Sequence, residues 1–268
     1  MTLEPPAAGT GRNDVPAAPD WRDELSAGRF GSAHRAYLIS GSHDAAVRST
    51  LSALSDVEAL VRAKAWRRAI KRLAQIEERP PLVPWSRLQS DLERLRRSGD
   101  ALDRRRPDDA VPELDALESG LFEAEAQTQR GTALIYDDRV DDAERCFQQA
   151  LEADPRHFRA LTNLGNIALE QGRVDEAIAA YERALALNDT FANAHHNLAV
   201  AYRRKGQLGK SVHHLRRAQR LMQRHDADDA RARLGSLTGG RRLPTLRWLM
   251  YAAAAIVLYL LLKSRGVL

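Results

Sequence analysis

The 268-residue chain contains a single cysteine, Cys146. One thiol excludes an internal disulfide and any thiolate metal cluster within the chain. Beside Phe147 on a predicted helix, Cys146 reads as a small core residue. Aromatic residues are only 6% of the chain, and no segment sustains the Val/Ile/Thr alternation of a half-buried strand. Strands are therefore not expected. Lysine is scarce beside arginine, occurring at Lys64, Lys71, Lys205, Lys210 and Lys263. That bias reads as GC-rich coding and suggests a bacterial source. The first 19 residues lack a basic start and an apolar stretch, and carry Pro5, Pro6, Pro16 and Pro19. They read as a disordered Pro/Ala-rich tail over 1–19, not as a secretory leader, which leaves the bulk of the chain in the cytosol.

Ala, Leu and Arg dominate what is present, and all three are good helix formers. With 44% hydrophobic and 29% charged residues, the chain can bury a core. The formal net charge is +5. The expected fold class is all-α.

The longest uncharged run lies near the C-terminus. Trp248 to Leu262 reads WLMYAAAAIVLYLLL, 15 residues, or about 22 Å of helix. Extended back to Leu243, the segment holds 20 residues with one interruption, Arg247, whose side chain can snorkel to headgroups. Pro244 sits where a helix start tolerates proline. Trp248, Tyr251 and Tyr259 mark the two interfaces. A transmembrane helix is predicted over 243–262, with a short tail over 263–268. More basic residues precede it (Arg231, Arg233, Arg241, Arg242, Arg247) than follow it (Lys263, Arg265). This favours a single-pass tail anchor with the bulk on the cytoplasmic face of a bacterial inner membrane. The alternative is a buried terminal helix of a soluble domain.

The body of the chain repeats itself. Ala124–His157 and Phe158–Phe191 align as adjacent 34-residue blocks, and a third begins at Ala192. Gly131, Gly165 and Ala199 match. So do Ala143, Ala177 and Ser211, then Ala150, Ala184 and Ala218, and the large residues Phe147, Tyr181 and Leu215. Weaker copies lie upstream, around Gly28, Phe30, Ala33 and Tyr37, around Trp66, Ala69 and Leu73, and around Ala110 and Leu114. Pro112 and the cluster Pro80, Pro81, Pro84 depart from the pattern.

This pattern resembles the tetratricopeptide repeat (TPR) family. The resemblance implies an α-solenoid of antiparallel helix pairs. In each pair a small residue of the first helix admits an aromatic of the second, and Gly172 and Gly206 end first helices. The units are 124–157, 158–191 and 192–225. A degenerate TPR-like region is expected over 20–123, with an unrelated helical domain as the alternative. A basic linker is expected over 226–242.

In this family the concave face, lined by first helices, binds peptide or protein segments. Carried onto this chain, the groove positions are Thr162, Asn163 and Asn166, then Asn193, His196, Asn197, Arg203 and Arg204. Arg159 and Glu170 join the same set, with Glu125, Thr128, Gln129, Thr132 and Tyr136 in the first unit. Asn163 and Asn197 are equivalent positions, suited to clamping a ligand backbone, or else simply the family's common residue there. Thr162 stands where a clamp for a chaperone's terminal carboxylate needs a basic residue, which argues against that specialisation.

Phe191 to His225 holds no acidic residue but carries Arg203, Arg204, Lys205, Lys210, Arg216, Arg217, Arg220 and Arg224. Such a face suits an acidic partner or anionic lipid, or is merely solvated. No reading motif for nucleic acid accompanies it. Gly206–Ser211, GQLGKS, fails as a phosphate loop, because Arg204 stands where the first glycine belongs. The pairs His195–His196 and His213–His214 point apart on a helix and do not chelate easily. No catalytic constellation, cofactor site or metal site is legible. The expected function is a membrane-tethered protein-interaction scaffold or assembly factor. The alternative is a lipid-facing structural protein using the basic 191–225 stretch.

Overall fold

The computed structural model describes residues 20–237 apart from Leu82 and Ser119. Among them the backbone forms twelve α-helices and no strand. They are α1 (Trp21–Ser26), α2 (Phe30–Ile39), α3 (Ala45–Arg62), α4 (Trp66–Ala74), α5 (Trp85–Asp103) and α6 (Pro107–Asp115). The series continues with α7 (Glu123–Tyr136), α8 (Val140–Ala153), α9 (Phe158–Glu170), α10 (Val174–Leu187), α11 (Ala192–Arg204) and α12 (Leu208–Leu237).

The helices come as six consecutive pairs, and each pair turns in the same way. A residue with positive φ ends the first helix: Gly28, Lys64, Arg105, Asp138, Gly172 and Gly206. The next backbone N–H donates to the carbonyl five positions back, closing a Schellman motif. The donor and acceptor pairs are Arg29 to Glu24, Ala65 to Leu60, Arg106 to Ala101, Arg139 to Leu134, Arg173 to Ala168 and Gln207 to Tyr202, all 2.8–3.0 Å. Five residues after each turn residue stands a buried small residue: Ala33, Ala69, Ala110, Ala143, Ala177 and Ser211. Pro112 lies inside α6 without ending it, and the helix begins on Pro107, where the missing N–H costs nothing.

Packing follows the repeat. Phe147 and Tyr181 are fully buried against the glycine of their own first helix. Phe158 meets Phe191 edge to face, 4.9 Å between centroids. The first two pairs form one apolar core with α5 and with Leu121, Phe122 and Ala126. They also touch the repeats directly. Arg62 on α3 bonds Glu58 at 2.6 Å and Asp154, the C-cap of α8, at 2.8 Å.

Two sequence expectations differ from the structure. Cys146 is half-buried, not a fully buried core residue, and burial pushes its thiol up. Residues 226–237, assigned to a linker, continue α12 as helix. The expected tail over 1–19 and the transmembrane segment 243–262 lie outside the described residues. Among the described residues, no helix is long and apolar enough to cross a membrane.

Candidate partner-binding surface

First helices α7, α9 and α11 follow one another at the repeat spacing, so equivalent positions on neighbouring units meet. In the first unit all of these positions but Tyr136 are consumed by the fold. Glu125 is buried and accepts from Arg159, 34 residues on, at 2.8 and 2.9 Å. It also accepts from Gln129 at 2.8 Å and faces His157 Nε2 at 3.2 Å. The Ala160 amide donates to His157 Nδ1 at 3.3 Å, so the ring hydrogen sits on Nε2 and points at the carboxylate. Burial alone would push Glu125 up, but Arg159, His157 and Gln129 reverse that and hold it at about 2. Gln129 also donates to the Leu95 carbonyl on α5. The hydroxyls of Thr128 and Thr132 return to carbonyls of their own helix. Glu125, Thr128, Gln129 and Arg159 are thus structural, while Tyr136 stays exposed.

The second and third units differ. Thr162 is buried, with its hydroxyl on the Phe158 carbonyl, and does not line the groove. Asn166 Oδ1 accepts from Tyr181 Oη at 2.8 Å and from Asn197 Nδ2 at 2.7 Å. The amide ladder therefore joins Asn166 to Asn197, one turn away from the expected Asn163–Asn197 register. Asn163 is half-buried, and its side chain makes no hydrogen bond among the described residues. Asn193, His196, Arg203 and Glu170 are exposed. Arg204 donates to the Leu169 carbonyl at the end of α9. The structure thus leaves Asn163, Asn193, His196 and Arg203 free along α9 and α11, beside a fixed pair of amides.

The basic stretch is partly neutralised by the preceding unit. Lys205 pairs with Asp175 and Arg217 with Asp189, and Lys210 sits over the Tyr202 ring. Arg203, Arg216, Arg220 and Arg224 are exposed and have no ion pair among the described residues.

The histidines pair across helices, not within them. His195 Nε2 donates to the Asp189 carbonyl at 3.1 Å. Its Nδ1 therefore accepts, from His214 Nδ1 at 3.0 Å. The two rings stack at 5.2 Å. Among the described residues no group of three His, Cys, Asp or Glu is placed to hold a metal. The cleft between the N-terminal pairs and the repeats, beside Arg62, Asp154 and His157, measures about 40 Å³. That is room for a few waters, not for a peptide.

Sequence reading missed the Glu125–Arg159 pair, although its signal was present. Opposite charges stand at one repeat position in successive units.

A tetratricopeptide repeat profile matches residues 128–190, and a second matches 180–213. No match was found among curated proteins. Among solved structures the chain is similar to MamA, at 21% identity over 76% of this chain and 95% of that one, with a TM-score of 0.41. It is also similar to YrrB, described as a TPR protein with an unusual peptide-binding site. There the identity is 19% over 62% of this chain and 82% of that one, with a TM-score of 0.39.

Proposed function

Residues 128–213 make this chain a member of the tetratricopeptide repeat family, and from that premise we propose that it is a protein-interaction scaffold or assembly factor tethered to a membrane. The groove along α9 and α11 takes an extended segment of a partner protein. The observation carrying this reading is the contrast between units. In the first unit Glu125, Thr128, Gln129 and Thr132 are taken up by hydrogen bonds within the fold, whereas Asn163, Asn193, His196 and Arg203 have no partner among the described residues. Amides offer donor and acceptor together and suit a peptide backbone. His196 and Arg203 add a preference for acidic side chains.

The repeats of 20–123 belong to the same solenoid in this reading. What supports that is the shared turn and the buried small residue in all six pairs. The apolar run 243–262 anchors the chain at the cytoplasmic face of a bacterial inner membrane. The support for the anchor is sequence alone: length, aromatic placement and the basic bias before it.

The test has two arms. Asn163→Ala with Asn197→Ala should remove groove partners from an affinity capture by the full chain, and an unchanged partner set rejects the groove. Removal of 243–268 should move the protein from the membrane pellet to the supernatant, and continued sedimentation rejects the anchor.

A further inference from the structure

The last helix pair exposes the face that earlier pairs bury. On α10, Val174, Ile178, Tyr181 and Leu185 pack with Leu198, Ala201 and Tyr202 of the following first helix. Their equivalents 34 residues on are Leu208, Val212, Leu215 and Gln219. Ile178 is 8% exposed and Tyr181 0%, whereas Val212 is 47% and Leu215 38%. Leu208 and Met222 extend the stripe at 64% and 41%. The spacing 208, 212, 215, 222 keeps these side chains on one side of the helix. A continuous apolar stripe on an otherwise charged helix marks an interaction surface.

Among the described residues the chain does not supply the missing neighbour. After α8 and α10, four residues lead into the next first helix. At the same register α12 stays helical and runs on to Leu237. In the reading above, residues 243–262 are taken up as the membrane anchor, and this inference rests on that reading. A second copy is disfavoured by charge. Arg216, Arg220 and Arg224 are exposed beside the stripe, and residues 191–225 contain no acid to answer them.

We propose that the exposed stripe of α12 is a second docking surface, which takes an amphipathic helix with acidic flanks from a partner protein. That helix sits where a further first helix would stack. Its apolar side covers Leu208, Val212, Leu215 and Met222, and its carboxylates meet the unpaired arginines. The surface is separate from the groove of α9 and α11, so either reading stands or falls alone.

The full chain, in neutral-lipid nanodiscs, is titrated against a labelled synthetic helix of about 16 residues with leucine on one side and glutamate flanks. A lysine-flanked counterpart serves as control, and binding is read by fluorescence anisotropy. The glutamate peptide binds, the lysine peptide does not, and added salt weakens binding. Val212→Ser with Leu215→Ser lowers affinity by roughly tenfold or more at an unchanged melting curve. Arg216→Glu with Arg220→Glu transfers preference to the lysine peptide. Asn163→Ala with Asn197→Ala changes nothing. Equal binding of both peptides, or wild-type affinity in the serine variant, overturns the proposal. So does a dimer in sedimentation velocity that the serine substitutions dissolve. A chain that ignores the glutamate peptide but binds phosphatidylglycerol vesicles through the same stripe also overturns it.

Discussion

A Cβ placed on Gly165 would stand 2.6 Å from Tyr181 Cε1, and one on Gly131 would stand 2.6 Å from Phe147 Cε1. In each unit the aromatic ring of the second helix rests directly on the backbone of the first. Tyr181 cannot retreat, because it is fully buried and its hydroxyl is tied to Asn166. Alanine in a helix interior normally gains about 1 kcal/mol over glycine. Here the clash outweighs that gain, since overpacking costs about 1–3 kcal/mol. Gly165→Ala should lower stability in urea unfolding. Gly99→Ala is the control of opposite sign: its Cβ would meet the Trp66 ring at an ordinary 3.4 Å, so it should stabilise.

The left-handed turn residues give a second test. Asp138 holds a φ of 60° without glycine, and such a conformation costs an L-residue about 1 kcal/mol. Asp138 is exposed and makes no side-chain bond among the described residues. Asp138→Gly should therefore raise stability by about 0.5–1 kcal/mol. Gly172→Ala, at a φ of 78° in the equivalent turn, should lower it by a similar amount. Thermal melts of the two variants check the pair of signs.

The repeat was legible because it rests on small and large residues at a fixed period. Ala143, Ala177 and Ser211 mark each close approach of helices, and composition alone cannot disguise that spacing. The turns were legible only where they used glycine. Lys64, Arg105 and Asp138 adopt the same conformation without the residue that advertises it. The groove was legible as a set of positions but not as a set of free side chains. Whether a polar residue is available depends on what the neighbouring unit places opposite it. Glu125 and Thr162 occupy groove positions by counting, yet Arg159 and a backbone carbonyl take them up. Leu215 matched Phe147 and Tyr181 in sequence, but burial needs a following unit, and after α12 the described residues hold none.

The His195–His214 pair should make the third repeat acid-sensitive. Both imidazoles are held below their ordinary value near 6.5, chiefly by burial. For His195 the Asp189 carbonyl opposes this, and Arg217 and His213 add to it. For His214 the neighbours His195, His213 and Lys210 add to burial, while Glu182 opposes it. A base with a depressed folded value contributes stability that is full above the unfolded value, and that stability is lost as pH falls. Structurally, protonating His195 puts a hydrogen on its Nδ1 and sets two Nδ1–H groups against each other. The melting temperature should fall between pH 7.5 and pH 5.5, and His214→Leu should flatten that slope. An equal slope in the variant would place the acid sensitivity elsewhere.

Glu125 should behave in the opposite part of the pH scale. Its carboxyl is buried and held at about 2, against an ordinary value of 4.5. The stability it contributes is therefore present above about pH 4.5 and is lost as pH falls through about 2. A shift of that size corresponds to about 3 kcal/mol at neutral pH. Glu125→Gln removes the charge and leaves Arg159 and the His157 N–H poorly matched in a buried site, at a cost of about 3–5 kcal/mol. The difference between wild type and variant should narrow as pH is lowered, because the wild-type carboxylate is neutralised too. A difference independent of pH would mean that shape, not charge, sets the role of Glu125. Replacing Glu125 and Arg159 together by methionine separates the two contributions further. If the charges matter only to each other, the double variant should be more stable than Glu125→Met alone, since it leaves no guanidinium unpaired.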